Sequence, residues 1–110
     1  MSASSPADLS TAFRSFGRRI RQALEMADDD KGRLAATAPH AARLQAIVLE
    51  AAGVIGGGFG TSVDQVGPAV ADHIDKISPD AWDEAKLDQL RALATSAGAE
   101  IRAAEHAAQG

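Results

Sequence analysis

The most apolar part of the chain runs from Leu44 to Ile55 and ends at the glycine-rich segment 56–60. Apolar residues recur here at spacings of three and four, and the alanine, leucine and glutamate content favours helix over strand. Leu49 and two alanines lie off this stripe, so the helix is apolar nearly all round, which is typical of a helix covered on more than one side. We therefore predict a central helix over residues 38–55, with Thr37 as its N-cap.

Three further stretches show the same helical spacing. The first begins at Ser5-Pro6, the second at Ser62 with a capping-box Gln65, and the third at Ser78-Pro79, all of which are patterns typical of helix starts. The short links between them favour antiparallel neighbours. We predict an all-α fold, a small antiparallel four-helix bundle with helices at about 6–27, 38–55, 62–77 and 79–108. A single domain over residues 1–110 follows, with a flexible tail at 1–5.

Composition narrows the possible classes of protein. The chain has 110 residues, 45% of them hydrophobic and 24% charged, as in an ordinary globular domain. It has no cysteine, so disulfides and thiolate chemistry are excluded. No uncharged apolar run is long enough for a membrane span, and the N-terminus does not resemble a signal peptide. We expect a cytoplasmic protein. Arginine outnumbers lysine, which we interpret as the compositional habit of a GC-rich bacterial genome.

Known catalytic and metal-binding patterns are missing from the sequence. The glycine-rich segment lacks the spacing of a dinucleotide fingerprint and the lysine of a P-loop, and no G-x-S-x-G elbow occurs. The histidines, His40, His73 and His106, form no Glu-x-x-His pair. The consecutive aspartates at 28–30 diverge instead of converging on a cation. We expect no enzyme activity, no cofactor and no metal.

A basic ridge on the first helix is one candidate binding surface. It consists of Arg14, Arg18 and Arg21, and no acid lies between Ser10 and Ala23. Such a ridge binds nucleic acid or acidic surfaces in some proteins, but it is more often a solvated face in which Arg21 pairs with Glu25 one turn on. The net charge of -4 argues against nucleic acid as the partner.

Charge differs between the halves of the chain. Residues 1–55 carry seven basic and six acidic side chains, and residues 56–110 carry four and nine. The second half is therefore clearly acidic, and much of its excess lies at the start of the last predicted helix, where the helix dipole favours acids.

Two aromatic residues are the other candidates for partner binding. Phe59 lies among the glycines and either folds back onto the core or is offered to a partner. Trp82, the only tryptophan, is a potential binding anchor or a cap on the core at the start of the last helix. That helix is also longer than its predicted neighbour, which would leave apolar surface free.

These patterns favour a non-enzymatic helical interaction protein. It would be a self-associating bundle, an adaptor or a regulatory partner, which associates with itself or with another protein. An alternative is a bundle that binds a small apolar ligand in its core. A second alternative is a nucleic-acid accessory protein that uses the basic ridge.

Overall fold

The chain folds into four α-helices and one short 3-10 turn in the computed structural model, which describes residues 5–57, 60 and 62–110. The helices are α1 (Pro6–Ala27), α2 (Lys31–Val54), α3 (Val63–Lys76) and α4 (Glu84–Gln109), and the 3-10 turn Pro79–Ala81 precedes α4. No strand occurs among these residues. The prediction of an all-α bundle is confirmed.

The helices pack as two antiparallel pairs, α1 with α3 and α2 with α4. In the first pair Ser10 contacts Ala71 whereas Arg21, farther along α1, contacts Asp64 near the start of α3. In the second pair His40 contacts Glu100, while Glu50 and Gln89 line one groove. α1 also lies against α4 and joins the two pairs. The result is a flattened body of 48 × 33 × 16 Å.

The core lies between the pairs and is built from the predicted stripes. Its largest fully buried side chains are Leu9, Phe13, Leu44, Ile74, Leu90 and Ile101. The same core contains buried alanines from α1, α2, α3 and α4. Small side chains let helices pack closely, so the low aromatic content of the chain is compatible with a well-filled core.

The start of α1 agrees with the sequence prediction. Ser5 accepts a hydrogen bond from the backbone N–H of Asp8 at 3.2 Å, and the Asp8 carboxylate accepts one from Ser5 N–H at 3.2 Å. Pro6 occupies the first turn. This reciprocal capping box satisfies two N–H groups that a helix start otherwise leaves unpaired.

α2 begins earlier than predicted. It starts at Lys31 instead of residue 38, because Asp30 is the N-cap and accepts a bond from Arg33 N–H at 3.1 Å. Thr37 is therefore not a cap. It is buried, and its hydroxyl donates to the Arg33 carbonyl at 2.7 Å. Pro39 lies inside the helix, where it removes one backbone donor without ending the helix.

The boundaries of the last two helices also differ from the prediction. Ser62 is the N-cap of α3 but makes no side-chain capping bond, so its capping box does not form. The segment at 79–81 is a single 3-10 turn, and α4 begins only at Glu84. Asp83 caps α4 by accepting from Ala85 N–H at 2.8 Å. The Asp83 carboxylate is a strong N-cap, so α4 begins five residues after Pro79.

α1 and α3 approach each other through glycine. A methyl group placed on Gly67 would lie 2.7 Å from the carbonyl oxygen of Phe13, and one on Gly17 would lie 2.8 Å from Asp64 Oδ1. The first obstacle is backbone, which cannot rotate away as a side chain can. Gly67 therefore sets the distance between the two helices.

We predict that Gly67→Ala destabilises the fold. Overpacking costs about 1–3 kcal/mol, and the better helix propensity of alanine offsets about 1 kcal/mol of this, so the expected net loss is up to about 2 kcal/mol. The matched control is Gly98→Ala in α4, where the nearest atom to the added methyl group is the flexible end of Arg102, at an ordinary contact distance of 3.4 Å. The control should gain up to about 1 kcal/mol. Urea unfolding measures both, and equal effects of the two changes would contradict the close approach.

Candidate functional site

The basic ridge of α1 is largely neutralised by α3. Arg14 Nη2 lies 2.5 Å from a carboxylate oxygen of Asp72 and 3.2 Å from one of Asp75. Arg21 Nη2 lies 3.1 Å from Asp64 Oδ1 and is not paired with Glu25. The Ser10 hydroxyl and then the Arg14 guanidinium, both close to the carboxylate, hold the pKa of Asp75 below its ordinary value.

Only part of the predicted ridge is therefore available to a partner. Arg18 is exposed, and within the described part of the chain it has no hydrogen-bond or ion-pair partner. One cation beside two paired arginines is not the continuous positive surface that nucleic acid needs. The geometry gives the nucleic-acid alternative no support.

An uncharged exposed face on α2 is a surface of a different kind. Its residues recur at spacings of three and four, and all are solvent-exposed: Ala35, Pro39, Ala42, Ala46, Leu49 and Gly53. Leu49 is one of the two large apolar side chains with substantial exposure within the described residues. The sequence predicted α2 to be covered on more than one side, whereas the folded chain leaves this side open.

α4 continues this surface beside α2. Its exposed residues at spacings of three and four are also small and neutral: Ala85, Gln89, Ala92, Ser96 and Ala99. A groove of about 250 Å³ separates the two rows and is lined by Val54 and Leu93 as well as by Glu50, Gln89 and Ala92. We call the exposed rows of α2 and α4 with this groove the α2/α4 face.

Charged groups lie along the middle of the α2/α4 face. Glu50 is exposed and has no partner in the described ranges. Seven residues earlier, Arg43 Nε donates to Glu100 Oε1 at 3.0 Å, and His40 Nδ1 lies 2.7 Å from Glu100 Oε2. The bond to His40 is the main cause that holds the pKa of Glu100 below its ordinary value, with Arg43 adding to it against the opposing effect of partial burial.

Trp82 lines a separate cavity at the end of the bundle. It follows the 3-10 turn, is half-buried, and packs against the core. The cavity has a volume of about 430 Å³ and lies between the ends of α2 and α3 and the start of α4. Its wall includes Ile55 and Ile77 as well as both Lys76 and Lys86. Of the two roles that the sequence left open for Trp82, packing against the core is observed, although Trp82 lies before α4 and not within it.

Trp82 Nε1 is buried and has no acceptor in the part of the chain that the structure describes. A buried N–H without a partner costs about 1–3 kcal/mol, and such groups are rare in folded proteins. The indole therefore lies in an environment that does not satisfy its polar group.

The sequence predictions and the folded surfaces coincide only in part. Phe59 lies outside the described residues. The sequence did not reveal the exposed row of α2, because alanine occurs in both buried and exposed positions. The sequence also did not indicate that Lys76 and Lys86 line the same cavity, since they are ten residues apart on different helices. No group of three histidine, aspartate or glutamate side chains in the described ranges is arranged to hold a metal ion.

Comparison with known proteins adds no family to this description. The chain matches no protein-family model, and neither a curated protein nor a solved structure shows significant similarity to it. None of the helices described above combines the length and the apolar character needed to cross a membrane.

We predict that Glu100→Gln lowers the free energy of unfolding at neutral pH by about 1 kcal/mol, because it weakens bonds to both His40 and Arg43. The pKa of Glu100 is lowered in the folded state. Its contribution to the free energy of unfolding is therefore complete above the ordinary carboxyl pKa and is lost as the pH falls through the folded-state pKa. The difference between wild type and variant should therefore shrink between about pH 5 and pH 2. Denaturant unfolding at several pH values measures it, and a constant difference would contradict the assignment.

Proposed function

We propose that the protein is a non-enzymatic, self-associating helical interaction protein, and that the α2/α4 face is the surface through which it binds a second copy. The observation that carries the proposal is the two-helix-wide surface of small neutral residues described above. Most residues of the two rows are apolar, and larger exposed apolar patches commonly mark interaction sites.

The charges on this face indicate how the copies would be arranged. Arg43 and Glu50 lie two helical turns apart, about 10 Å, on the edge of α2 that faces α4. In an antiparallel α2–α2 contact, like edges of the two helices meet. A two-fold axis near Ala46 then brings Arg43 of each copy opposite Glu50 of the other, so one pairing occurs twice.

Side-chain size fits the same arrangement. With the axis near Ala46, Leu49 of one copy lies over Ala42 of the other, a large group against a small one. On α4, Ala92 and Ala99 of one copy would approach the same residues of the other copy, with no bulky side chain between them. Small residues allow helix axes to approach to about 8 Å, which increases dispersion contacts.

The available area places the contact near the lower limit for specific interfaces. The exposed row spans about 27 Å on α2, from Ala35 to Gly53, and about 21 Å on α4, from Ala85 to Ala99. With a width of about 10 Å per helix, the two rows have an area on the order of 500 Å² per copy. Stable interfaces use about 600 Å² or more per partner, so α2 alone is too small and α4 must take part.

Ala46→Glu should abolish the dimer, because it places two like charges at the two-fold axis, where Arg43 of each copy already pairs with Glu50 of the other. Ala46 is exposed, so the change should leave the monomer fold intact. The matched control is Ala7→Glu, an exposed alanine in the first turn of α1, outside the α2/α4 face. Light scattering after size exclusion gives the mass, and circular dichroism checks helicity. A wild-type protein that remains monomeric at every concentration would contradict self-association.

The charge pairing has its own test. Glu50→Lys removes the attraction on both sides of the axis and puts lysine opposite Arg43, so we expect the dimer dissociation constant to rise by about tenfold or more. Glu50 has no intramolecular partner in the described residues, so folding should be unaffected. Sedimentation equilibrium measures the constant. An unchanged dissociation constant would reject the antiparallel α2–α2 arrangement even if the protein dimerises.

A further inference from the structure

We infer that the cavity beside Trp82 is a binding site for a small apolar carboxylate, a molecule with one anionic head and a hydrocarbon body. The cavity lies apart from the α2/α4 face and shares no lining residue with its groove. The existence of this site therefore does not depend on self-association.

The cavity wall is apolar where a hydrocarbon body would lie. Ile55 comes from the end of α2, Ile77 from the end of α3, and Trp82 from the segment before α4. All three are half-buried, so each still has apolar surface to offer. At about 430 Å³, the volume falls within the range of about 300–1,000 Å³ found for small-molecule sites.

The charge of the rim favours an anion. Residues 56–110 contain four basic side chains against nine acidic ones, and two of these four, Lys76 and Lys86, lie on this cavity. Neither lysine has an ion-pair partner within the described ranges. The one carboxylate on the rim, Asp83, is already bonded to backbone N–H groups at the start of α4. The two lysines therefore create a local positive potential on an acidic protein.

Trp82 supplies the second polar feature. Its buried Nε1–H has no acceptor in the described part of the chain, although its ring lines the cavity. A ligand that brings an acceptor oxygen within hydrogen-bond distance of Nε1 would satisfy this donor. Relief of the cost of an unpaired N–H would then add to the affinity for a carboxylate over an unsubstituted hydrocarbon.

The test uses octanoate as the probe, with octan-1-ol as the uncharged molecule of matched length. Trp82 is the only tryptophan, so its fluorescence reports occupancy of this cavity alone. Titration calorimetry on the full chain gives the affinity. We expect saturable octanoate binding below its micelle concentration, a shift of the tryptophan emission, and at least tenfold weaker binding of octan-1-ol. No saturable binding, or equal affinity for the two molecules, would overturn the inference.

A pair of lysine variants tests the rim. Lys76→Gln with Lys86→Gln should weaken octanoate binding by about tenfold or more and leave octan-1-ol unchanged. The control is Lys31→Gln at the start of α2, which removes the third lysine of the chain without touching the cavity. If the control weakens octanoate binding as much as the double variant, net charge and not this cavity accounts for the binding, and the site is rejected.

Discussion

The distance between α1 and α3 governs the arrangement of the other helices. It is short because Gly67 meets the carbonyl oxygen of Phe13 with no side chain between them. At this separation the hydroxyl of Ser10 reaches the carbonyl of Ala71 at 3.4 Å, so a buried polar group is satisfied across the interface. α1 is then free to use its remaining sides against α4 and α2, and both pairs share one core. A larger residue at 67 would separate the helices along their whole contact.

The same packing gives the uneven charge of the chain a structural role. Among the described residues, five interhelical ion pairs join an arginine from residues 1–55 to an acid from residues 56–110. Arg14 pairs with Asp72 and Asp75, Arg19 with Glu105, Arg21 with Asp64, and Arg43 with Glu100. Each pair is partly exposed and stabilises the fold only modestly. Together they favour the correct pairing of helices, because the front half supplies the cations that the acidic back half lacks.

Helix periodicity was sufficient to predict most of the fold, because one buried stripe per helix is a local signal. The ends of the helices were harder to predict, since they depend on which side chain accepts hydrogen bonds from the unpaired N–H groups of the first turn. Asp30 and Asp83 accept these bonds in place of Thr37 and Ser78. Aspartate, serine and threonine are all favoured N-caps, so residue type alone does not select the helix start.

The candidate sites depended on distant residues and were less predictable. The partners of Arg14 lie 58 and 61 residues away, so a free basic ridge could not be distinguished from a paired one in the sequence. Likewise, Trp82 and the two lysines meet only because the chain turns between α3 and α4.

The exposure of α2 links the sequence pattern to the proposed assembly. Its composition is that of a helix covered on more than one side, yet the body is only 16 Å in its shortest dimension, about two layers of helix. One side of α2 packs on the core, and no third layer covers Ala42, Ala46 and Leu49. Placing a second copy on this side would supply the missing layer without refolding either chain. The apolar pattern of α2, which the isolated chain does not explain, would then be explained by the dimer, in which α2 is covered on both sides.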